Sequence, residues 1–297
     1  MNQSNSEFLI VRGRRLHVRV WGDAAAPLLL LLHGWSDISA SWQFIVDELR
    51  RDWRILALDW PGCGLSEWSH KTYYFQDYLA DLDALLDHYS PNAAIPVVGH
   101  SMGGNLLCIY AGIFPSRISH VVCLEAFGNR RTLVEDAPDL YGELLLMMKK
   151  EQAFRTYPDR DALAARLRRD NPRLTAARAS FLANHIGIDN DLGSIDFAVD
   201  PAHRVRNPSI QCRIDESMAC WRRITAPIML VRGCDSEAVS YYFPQGSDEH
   251  RLRVAAYPNL KEVFLQDCGH NMHHDQPAAV ARLIEEFIST HPSAATR

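Results

Sequence analysis

Short apolar runs alternate with longer stretches of helical periodicity over most of the chain. Five successive leucines, Leu28 to Leu32, are too few for a helix and are typical of a central strand covered on both faces. Further strand-like runs occur at 8–11, 16–21, 54–58, 97–100, 120–124, 227–231 and 262–265, and helical patterns at 41–51, 74–89, 105–114 and 278–288. This rhythm predicts an α/β fold with a mostly parallel sheet flanked by helices.

The rhythm breaks after Gly128 and resumes near Pro227. The intervening stretch holds helical patterns at 140–154, 160–170, 174–185 and 214–223, punctuated by prolines, and no run typical of a buried strand. We therefore predict a core formed by residues 1–128 and 225–297, with a helical cap inserted at 129–224.

Composition narrows the class of protein. Apolar residues make up 47% of the 297 positions, and the net charge of -5 comes without a cluster of lysine and arginine, so nucleic acid is not an expected partner. No apolar run approaches the roughly 18 residues of a membrane span, and Met1 to Glu7 lacks the apolar core of a signal peptide. Seven scattered cysteines without a C-x-x-C pair favour reduced thiols. We expect a cytoplasmic protein, monomeric or homodimeric, with no membrane partner.

The stretch Gly99-His100-Ser101-Met102-Gly103 lies between a predicted strand and a predicted helix. A G-x-S-x-G sequence in this context predicts a nucleophile elbow, in which a sharp turn exposes the serine hydroxyl. Small neighbours are needed because a Cβ at Gly99 or Gly103 would collide with the crossing backbone. A serine is a poor nucleophile without a base, and His270, just past the last predicted strand, is well placed to be that base.

Four landmarks occur in order: His33-Gly34-Trp35, the glycine-rich run from Asp59 to Ser66, the Ser101 motif, and Gly269-His270-Asn271-Met272-His273. With them, the chain resembles the α/β-hydrolase superfamily over nearly its whole length, and specifically a carboxylesterase-like serine hydrolase. The resemblance implies an eight-stranded sheet with a helical cap between the sixth and seventh strands. It also implies an oxyanion hole formed by the backbone N–H groups of Trp35 and Met102.

The acid that would orient His270 is ambiguous. The family spacing of Gly-x-x-Asp after the seventh strand falls on Ser236, with Asp235 one residue early and Glu237 one residue late. Some relatives place their acid after the sixth strand, which here holds Glu125. The sequence favours Asp235 and leaves Glu237 and Glu125 open. His33 and His100 are interpreted as buried histidines that hydrogen-bond to loops.

Other chemistry is less well supported. The group His270, His273, His274 and Asp275 lacks the remaining ligands of a zinc motif, and no dinucleotide-binding fingerprint occurs, so we expect neither metal nor cofactor. A serine at the elbow, where haloalkane dehalogenases and epoxide hydrolases have aspartate, favours acyl chemistry.

Within the cap, two segments invite a functional interpretation. Asp200 to Arg204 and Arg206-Asn207-Pro208 are expected to cap helices, or to turn His203 or Arg204 toward the substrate. Leu144 to Met148 would line an apolar pocket or form a small core of the cap.

The leading hypothesis is a serine hydrolase that cleaves an ester or related acyl bond of a small, partly apolar molecule. One alternative is a carbon–carbon bond hydrolase acting on a diketone, with Arg204 or Arg206 holding a second carboxylate. The other is a metabolite-binding module on the same fold, with vestigial turnover.

Overall fold

The architecture comes from a computed structural model that describes residues 1–69, 72–205, 213–237 and 243–291. Its strands are β1 (Asn5–Val11), β2 (Arg14–Trp21), β3 (Leu28–Leu32), β4 (Arg54–Leu58), β5 (Ile95–His100), β6 (Ile118–Leu124), β7 (Gly187–Asp189), β8 (Ile195–Phe197), β9 (Ile228–Gly233) and β10 (Leu260–Leu265). Eight of them form one sheet in the order β1-β2-β4-β3-β5-β6-β9-β10. The β1–β2 and β2–β4 pairings are antiparallel and the rest are parallel, which confirms the predicted sheet.

Helices cover both faces of this sheet. They are α1 (Gln43–Val46), α2 (Phe75–Tyr89), α3 (Met102–Ile113), α4 (Ala137–Met148), α5 (Arg160–Asp170), α6 (Ala176–Ile186), α7 (Ile214–Trp221), α8 (Asp248–Val254), α9 (Met272–Asp275) and α10 (Pro277–Thr290). Among the described residues, no helix is both long and apolar enough to cross a membrane.

The leucine run explains why the central strand is apolar at every position. Leu30 and Leu32 belong to the apolar core on the α2, α3 and α7 side, whereas Leu29 and Leu31 belong to the core on the α1 and α10 side. Alternate side chains of a strand point to opposite faces, so a strand packed on both sides has no position left for a polar residue.

The helix predicted over 41–51 is shorter than the pattern indicates. A 3-10 turn at Ser39–Trp42 leads into α1, which ends at Val46. The backbone N–H groups of Arg50 and Arg51 instead donate to the carboxylate of Glu285 on α10. A side chain from another element therefore satisfies the donors that a longer helix would have used.

The segment between β6 and β9 is mostly helical, and it also contains a hairpin that the sequence pattern missed. Strands β7 and β8 pair antiparallel over three residues each, which is too short for an alternating pattern to stand out. The cap boundaries at 129 and 224 stay a prediction. Arg206, Asn207 and Pro208 lie outside the described residues.

Helix α7 packs closely against α3, the helix that follows Ser101. A Cβ added at Gly112 would overlap the backbone carbonyl of Cys220, so the approach requires glycine. On the same side, the Trp221 ring stacks on Tyr257 with centroids 4.5 Å apart. The last helix before β9 is thus packed against the core of the fold.

We predict that Gly112→Ala lowers the free energy of unfolding by about 1–3 kcal/mol, because α7 must move away from α3. Gly142, within α4, has open space where its Cβ would lie, and it supplies a matched control. Gly142→Ala should leave stability unchanged or raise it by about 0.5–1 kcal/mol. Urea denaturation of both variants tests this, and equal effects would contradict the packing argument.

Candidate active site

Ser101 occupies a sharp turn between β5 and α3. Its φ of 50° and ψ of -114° lie outside the usual range for a residue with a side chain. Its backbone N–H donates to the carbonyl of Leu124 at the end of β6, 2.9 Å away. The turn that the motif predicts is therefore present and is fastened to the neighbouring strand.

The two glycines of the motif allow this turn. A Cβ at Gly99 would lie 2.6 Å from backbone atoms of Gly103 and Gly104, and one at Gly103 would overlap the carbonyl oxygen of Leu32. Since backbone atoms cannot rotate away as a flexible side chain can, larger residues would force α3 off the sheet.

His270 lies in the loop between β10 and α9. Its Nε2 is 3.1 Å from Oγ of Ser101. The backbone around it is held from two sides: His100 Nε2 donates to the carbonyl of His270 at 2.8 Å, and the Asp275 carboxylate accepts the N–H of Gly269 at 2.9 Å. Ser101 and His270 are therefore brought within hydrogen-bonding distance.

Glu125 follows directly after β6 and contacts the other side of the histidine. Its Oε2 lies 3.4 Å from His270 Nδ1, a long contact. The side chain is fully buried, and its oxygens accept the Gly233 N–H and the Ser236 hydroxyl, each at 2.5 Å. Hydrogen bonds of this kind are what a buried carboxylate requires.

Asp235, the acid that the sequence favoured, is placed elsewhere. Its carboxylate pairs with the Arg173 guanidinium at 2.6 Å, and both side chains are substantially exposed. Glu237, the second choice, is also exposed. Among the described contacts the carboxylate at His270 is that of Glu125. The loop after β9 points Ser236 inward, and Asp235, its neighbour in the chain, points outward.

A cavity of about 630 Å³ opens above Ser101. Trp35 and Met102 line it, as the predicted oxyanion residues should, and the Trp35 indole donates to the backbone carbonyl of His203 at 3.1 Å. The remaining lining combines aromatic and polar side chains, among them Tyr73, Phe75, Tyr78, Asn105, Asn129, Asp170, His203 and Asn271. The sequence analysis missed most of these, because cavity lining depends on how loops and cap meet.

The cap segment from Asp200 to Arg204 closes one side of this cavity. Asp200 accepts the Ala202 N–H at 2.9 Å, which confirms the capping interpretation, and its other oxygen accepts the Tyr73 hydroxyl at 2.7 Å. His203 stacks on Tyr73 and also lines the cavity. Arg204 instead lies over the ring of Phe154, with its guanidinium carbon 5.5 Å from the ring centroid.

Of the two roles predicted for Leu144 to Met148, a small core of the cap is wrong, and pocket lining holds for Met148 alone among the described residues. Leu145, Leu146 and Met148 are more than half exposed, and α4 buries none of its residues. Met148 lines a second cavity of about 580 Å³, which shares Ala202 and Val205 with the first. The apolar positions of α4 therefore form neither a core of the cap nor the wall beside Ser101.

The glycine-rich run after β4 wraps the buried carboxylate of Asp59. This carboxylate contacts His17 Nδ1 at 2.6 Å and accepts the backbone N–H groups of Ser39 and Leu65. Burial is the largest single influence and would raise the pKa of Asp59, but the hydrogen bond and charge of His17, the charge of His33 and the Leu65 N–H together lower it. The Asp59 carboxylate thus holds together the glycine-rich run, β2 and the segment after β3.

Several buried histidines near the site hold its loops by hydrogen bonds. His33 accepts the Trp60 N–H at 3.1 Å and His100 bonds the His270 loop, which confirms both as buried, hydrogen-bonding histidines. His273 pairs with Asp37 at 3.3 Å, and with His274 these groups lie within 4.8 Å, close enough to hold a metal ion.

Asp37 also accepts the Ile38 N–H and the Ser41 hydroxyl, so its carboxylate joins the segment after β3 to His273 of α9. Burial would raise the pKa of Asp37, but the hydrogen bond and charge of His273 hold it well below its usual range.

A comparison with known protein families matches residues 27–277 to the model of the alpha/beta hydrolase fold. The chain belongs to the alpha/beta hydrolase fold family. A serine hydrolase-like protein of Danio rerio is 28% identical over 97% of this chain and 90% of the relative. The 2-(acetamidomethylene)succinate hydrolase of Mesorhizobium japonicum is 24% identical over 92% of each.

Solved structures of this family share the architecture. The thioesterase domain from the curacin biosynthetic pathway superposes with a TM-score of 0.83 at 24% identity, covering 96% of this chain and all of that domain. At this level of identity the likeness shows the fold. Family and relatives together support a hydrolase enzyme.

Stability should fall in mild acid because of His203. Burial lowers the pKa of this imidazole from 6.5 to about 4. Between those values the unfolded chain binds a proton that the folded chain does not, so the free energy of unfolding decreases as pH falls, by up to about 3 kcal/mol from this group. Urea denaturation at pH 7, 5.5 and 4.5 should show a shallower dependence for His203→Gln than for the wild type.

The exposed His88 provides the control. His88→Gln removes an imidazole from the surface of α2, so its free energy of unfolding should depend on pH as that of the wild type does. An identical pH dependence in the wild type and His203→Gln would contradict a buried, neutral His203.

Proposed function

We propose that this chain is a serine hydrolase that cleaves an ester or related acyl bond of a small molecule through an acyl-enzyme. The observation that carries the proposal is the continuous contact from Ser101 Oγ to His270 Nε2, and from His270 Nδ1 to Glu125, at the floor of a cavity. In this proposal Ser101 is the nucleophile, His270 the general base and Glu125 the orienting acid.

The chemistry follows from these positions. His270 removes the proton as Ser101 Oγ attacks the carbonyl carbon, and the same proton then goes to the departing alcohol or thiol. His270 then takes a proton from water, which attacks the acyl-serine. His270 gives this proton to Ser101 Oγ as the C–O bond breaks, which releases the carboxylic acid and regenerates Ser101. The backbone N–H groups of Trp35 and Met102 are proposed to hold the negative charge of each tetrahedral intermediate.

Glu125 takes the role that the sequence favoured for Asp235. A carboxylate beside Nδ1 keeps the proton of neutral histidine on that nitrogen and stabilises the imidazolium that forms. Glu125 is buried and contacts Nδ1, whereas the Asp235 charge is shared with Arg173 in solvent. The 3.4 Å separation is compatible with this role, since catalytic hydrogen bonds often tighten only when substrate binds.

The cavity supports a small substrate with both apolar and polar parts. Trp35, Phe75 and Met102 provide apolar contact near Ser101, and the amides of Asn105, Asn129 and Asn271 provide donors and acceptors. Its volume of about 630 Å³ lies within the usual range of small-molecule sites.

The carbon–carbon bond hydrolase gains no support from the described lining. Such an enzyme would need a cation for the second carboxylate, and no lysine or arginine is among the residues that line the cavity in the described part of the chain. The acid within reach of His270 argues against a binding module without turnover. The names of the relatives, a serine hydrolase-like protein and a hydrolase, favour the same conclusion.

A fluorophosphonate probe should label the wild-type protein, and mass spectrometry should locate the adduct on Ser101. Ser101→Ala should lose labelling and p-nitrophenyl acetate hydrolysis together, because no other described residue has its contact with His270. Ser217→Ala, which alters a buried serine of α7, serves as the control and should keep both activities. Hydrolysis by Ser101→Ala at the wild-type rate would refute the proposal.

Substitutions at the two candidate acids, Glu125 and Asp235, should have different effects on kcat. Glu125→Gln should lower kcat for p-nitrophenyl acetate by about 10³–10⁴-fold, because an amide oxygen no longer stabilises the imidazolium. Asp235→Asn removes a surface ion pair and should change kcat by less than about twofold. If Asp235→Asn lowers kcat more than Glu125→Gln does, the orienting acid is Asp235 in the loop after β9.

A further inference from the structure

The loop after β9 contains a buried serine to which the proposed chemistry assigns no role. Ser236 is only 1% exposed. Its hydroxyl donates to Oε2 of Glu125 at 2.5 Å, and its backbone N–H closes the turn by donating to the Gly233 carbonyl at 3.1 Å. The side chain is thus aimed at the carboxylate by its own local turn.

The oxygen that Ser236 contacts is the one nearest the histidine. Glu125 Oε2 accepts the Ser236 hydroxyl and contacts His270 Nδ1, while Oε1 accepts the Gly233 N–H. A glutamate side chain has three rotatable torsions, and two donors from one loop fix both oxygens of this carboxylate. Without the hydroxyl, Oε1 would keep its partner and Oε2 would be free to turn away from His270.

We propose that Ser236 is a positioning residue, which holds Oε2 of Glu125 toward His270 and acts on catalysis only through that carboxylate. The inference rests on the proposed function, since it assigns Ser236 an effect only where Glu125 orients the base. Ser236 is not among the described residues that line the cavity, so a direct effect on substrate is not part of the proposal.

A single carboxylate oxygen, Glu125 Oε2, contacts both the Ser236 hydroxyl and Nδ1 of His270. Aspartate in place of Ser236 would put a carboxyl carbon near the present Oγ, with its oxygens about 1.2 Å further out. The Ser236 hydroxyl is 2.5 Å from Glu125 Oε2, so this extension points into the space that a truncated Glu125 would vacate. Ser236→Asp in a variant with a truncated Glu125 is therefore the change that tests whether the acid can be moved from the end of β6 to the loop after β9.

A double-mutant cycle tests the inference, with fluorophosphonate labelling rate and p-nitrophenyl acetate kinetics as readouts. Ser236→Ala should lower the labelling rate and kcat about tenfold with KM unchanged, as expected for loss of one hydrogen bond to a charged group. In a Glu125→Ala background the same change should have no further effect. Glu125→Ala/Ser236→Asp should be more active than Glu125→Ala.

Other outcomes overturn the inference in recognisable ways. Equal losses from Ser236→Ala in both backgrounds would indicate a role in stability alone, and no loss in the wild type would indicate no role. If the double variant is no more active than Glu125→Ala, a carboxylate at position 236 does not reach His270. If Ser236→Ala does not fold, Ser236→Cys keeps the side-chain size with a weaker donor and takes its place.

Failure of the proposed function has a separate signature. In that case the wild-type protein is not labelled at Ser101, or Glu125→Ala keeps full activity, before any Ser236 variant is considered. Ser217→Ala again controls for the loss of a buried hydroxyl.

Discussion

The close crossing of α3 over the ends of β3 and β5 is the constraint on which the site depends. It requires that no side chain stand between Gly103 and the Leu32 carbonyl. It also requires Ser101 to adopt a positive φ, a conformation that costs of order 1–3 kcal/mol. The packing of α3 and the bond from Ser101 N–H to Leu124 hold that conformation, and as a result the hydroxyl faces the cavity and not the core.

Buried carboxylates organise the loops on the same edge of the sheet. Asp59 after β4, Asp37 after β3 and Glu125 after β6 each accept several hydrogen bonds and each contact a histidine. Burying a charge is costly unless donors surround it, so each carboxylate gathers the backbone and side chains of neighbouring loops. In a parallel sheet the carboxyl ends of the strands meet at one edge, which is why these groups lie near the cavity.

Local pattern predicts most of the sheet, because each buried strand must be apolar over a short run. It also places Ser101 and His270 correctly at strand ends. It is insufficient where a distant group decides the outcome, as for α1, beyond which Glu285 binds the backbone. The same holds for the carboxylate at His270: spacing favours Asp235, whereas the structure places Glu125 there. The sequence has a serine at the expected acid position, and this departure is why Glu125, at the alternative strand end, stays open beside Asp235 and Glu237. The cavity lining, built by loops and cap together, has no local signature.

The three residues of the proposed site are unevenly spaced along the chain, because Glu125 lies near Ser101 in sequence and far from His270. The proposed nucleophile and the proposed acid belong to one β5–α3–β6 unit, whereas His270 is separated from Ser101 by 169 residues and from Glu125 by 145. A contact between residues that are near in sequence forms only a small loop and can arise early in folding. A contact between distant residues must wait for the rest of the chain. During synthesis two members would be in place before the cap and the last strands emerge. In the proposed site the base is therefore the last member to be put in place, by the segment that follows β10.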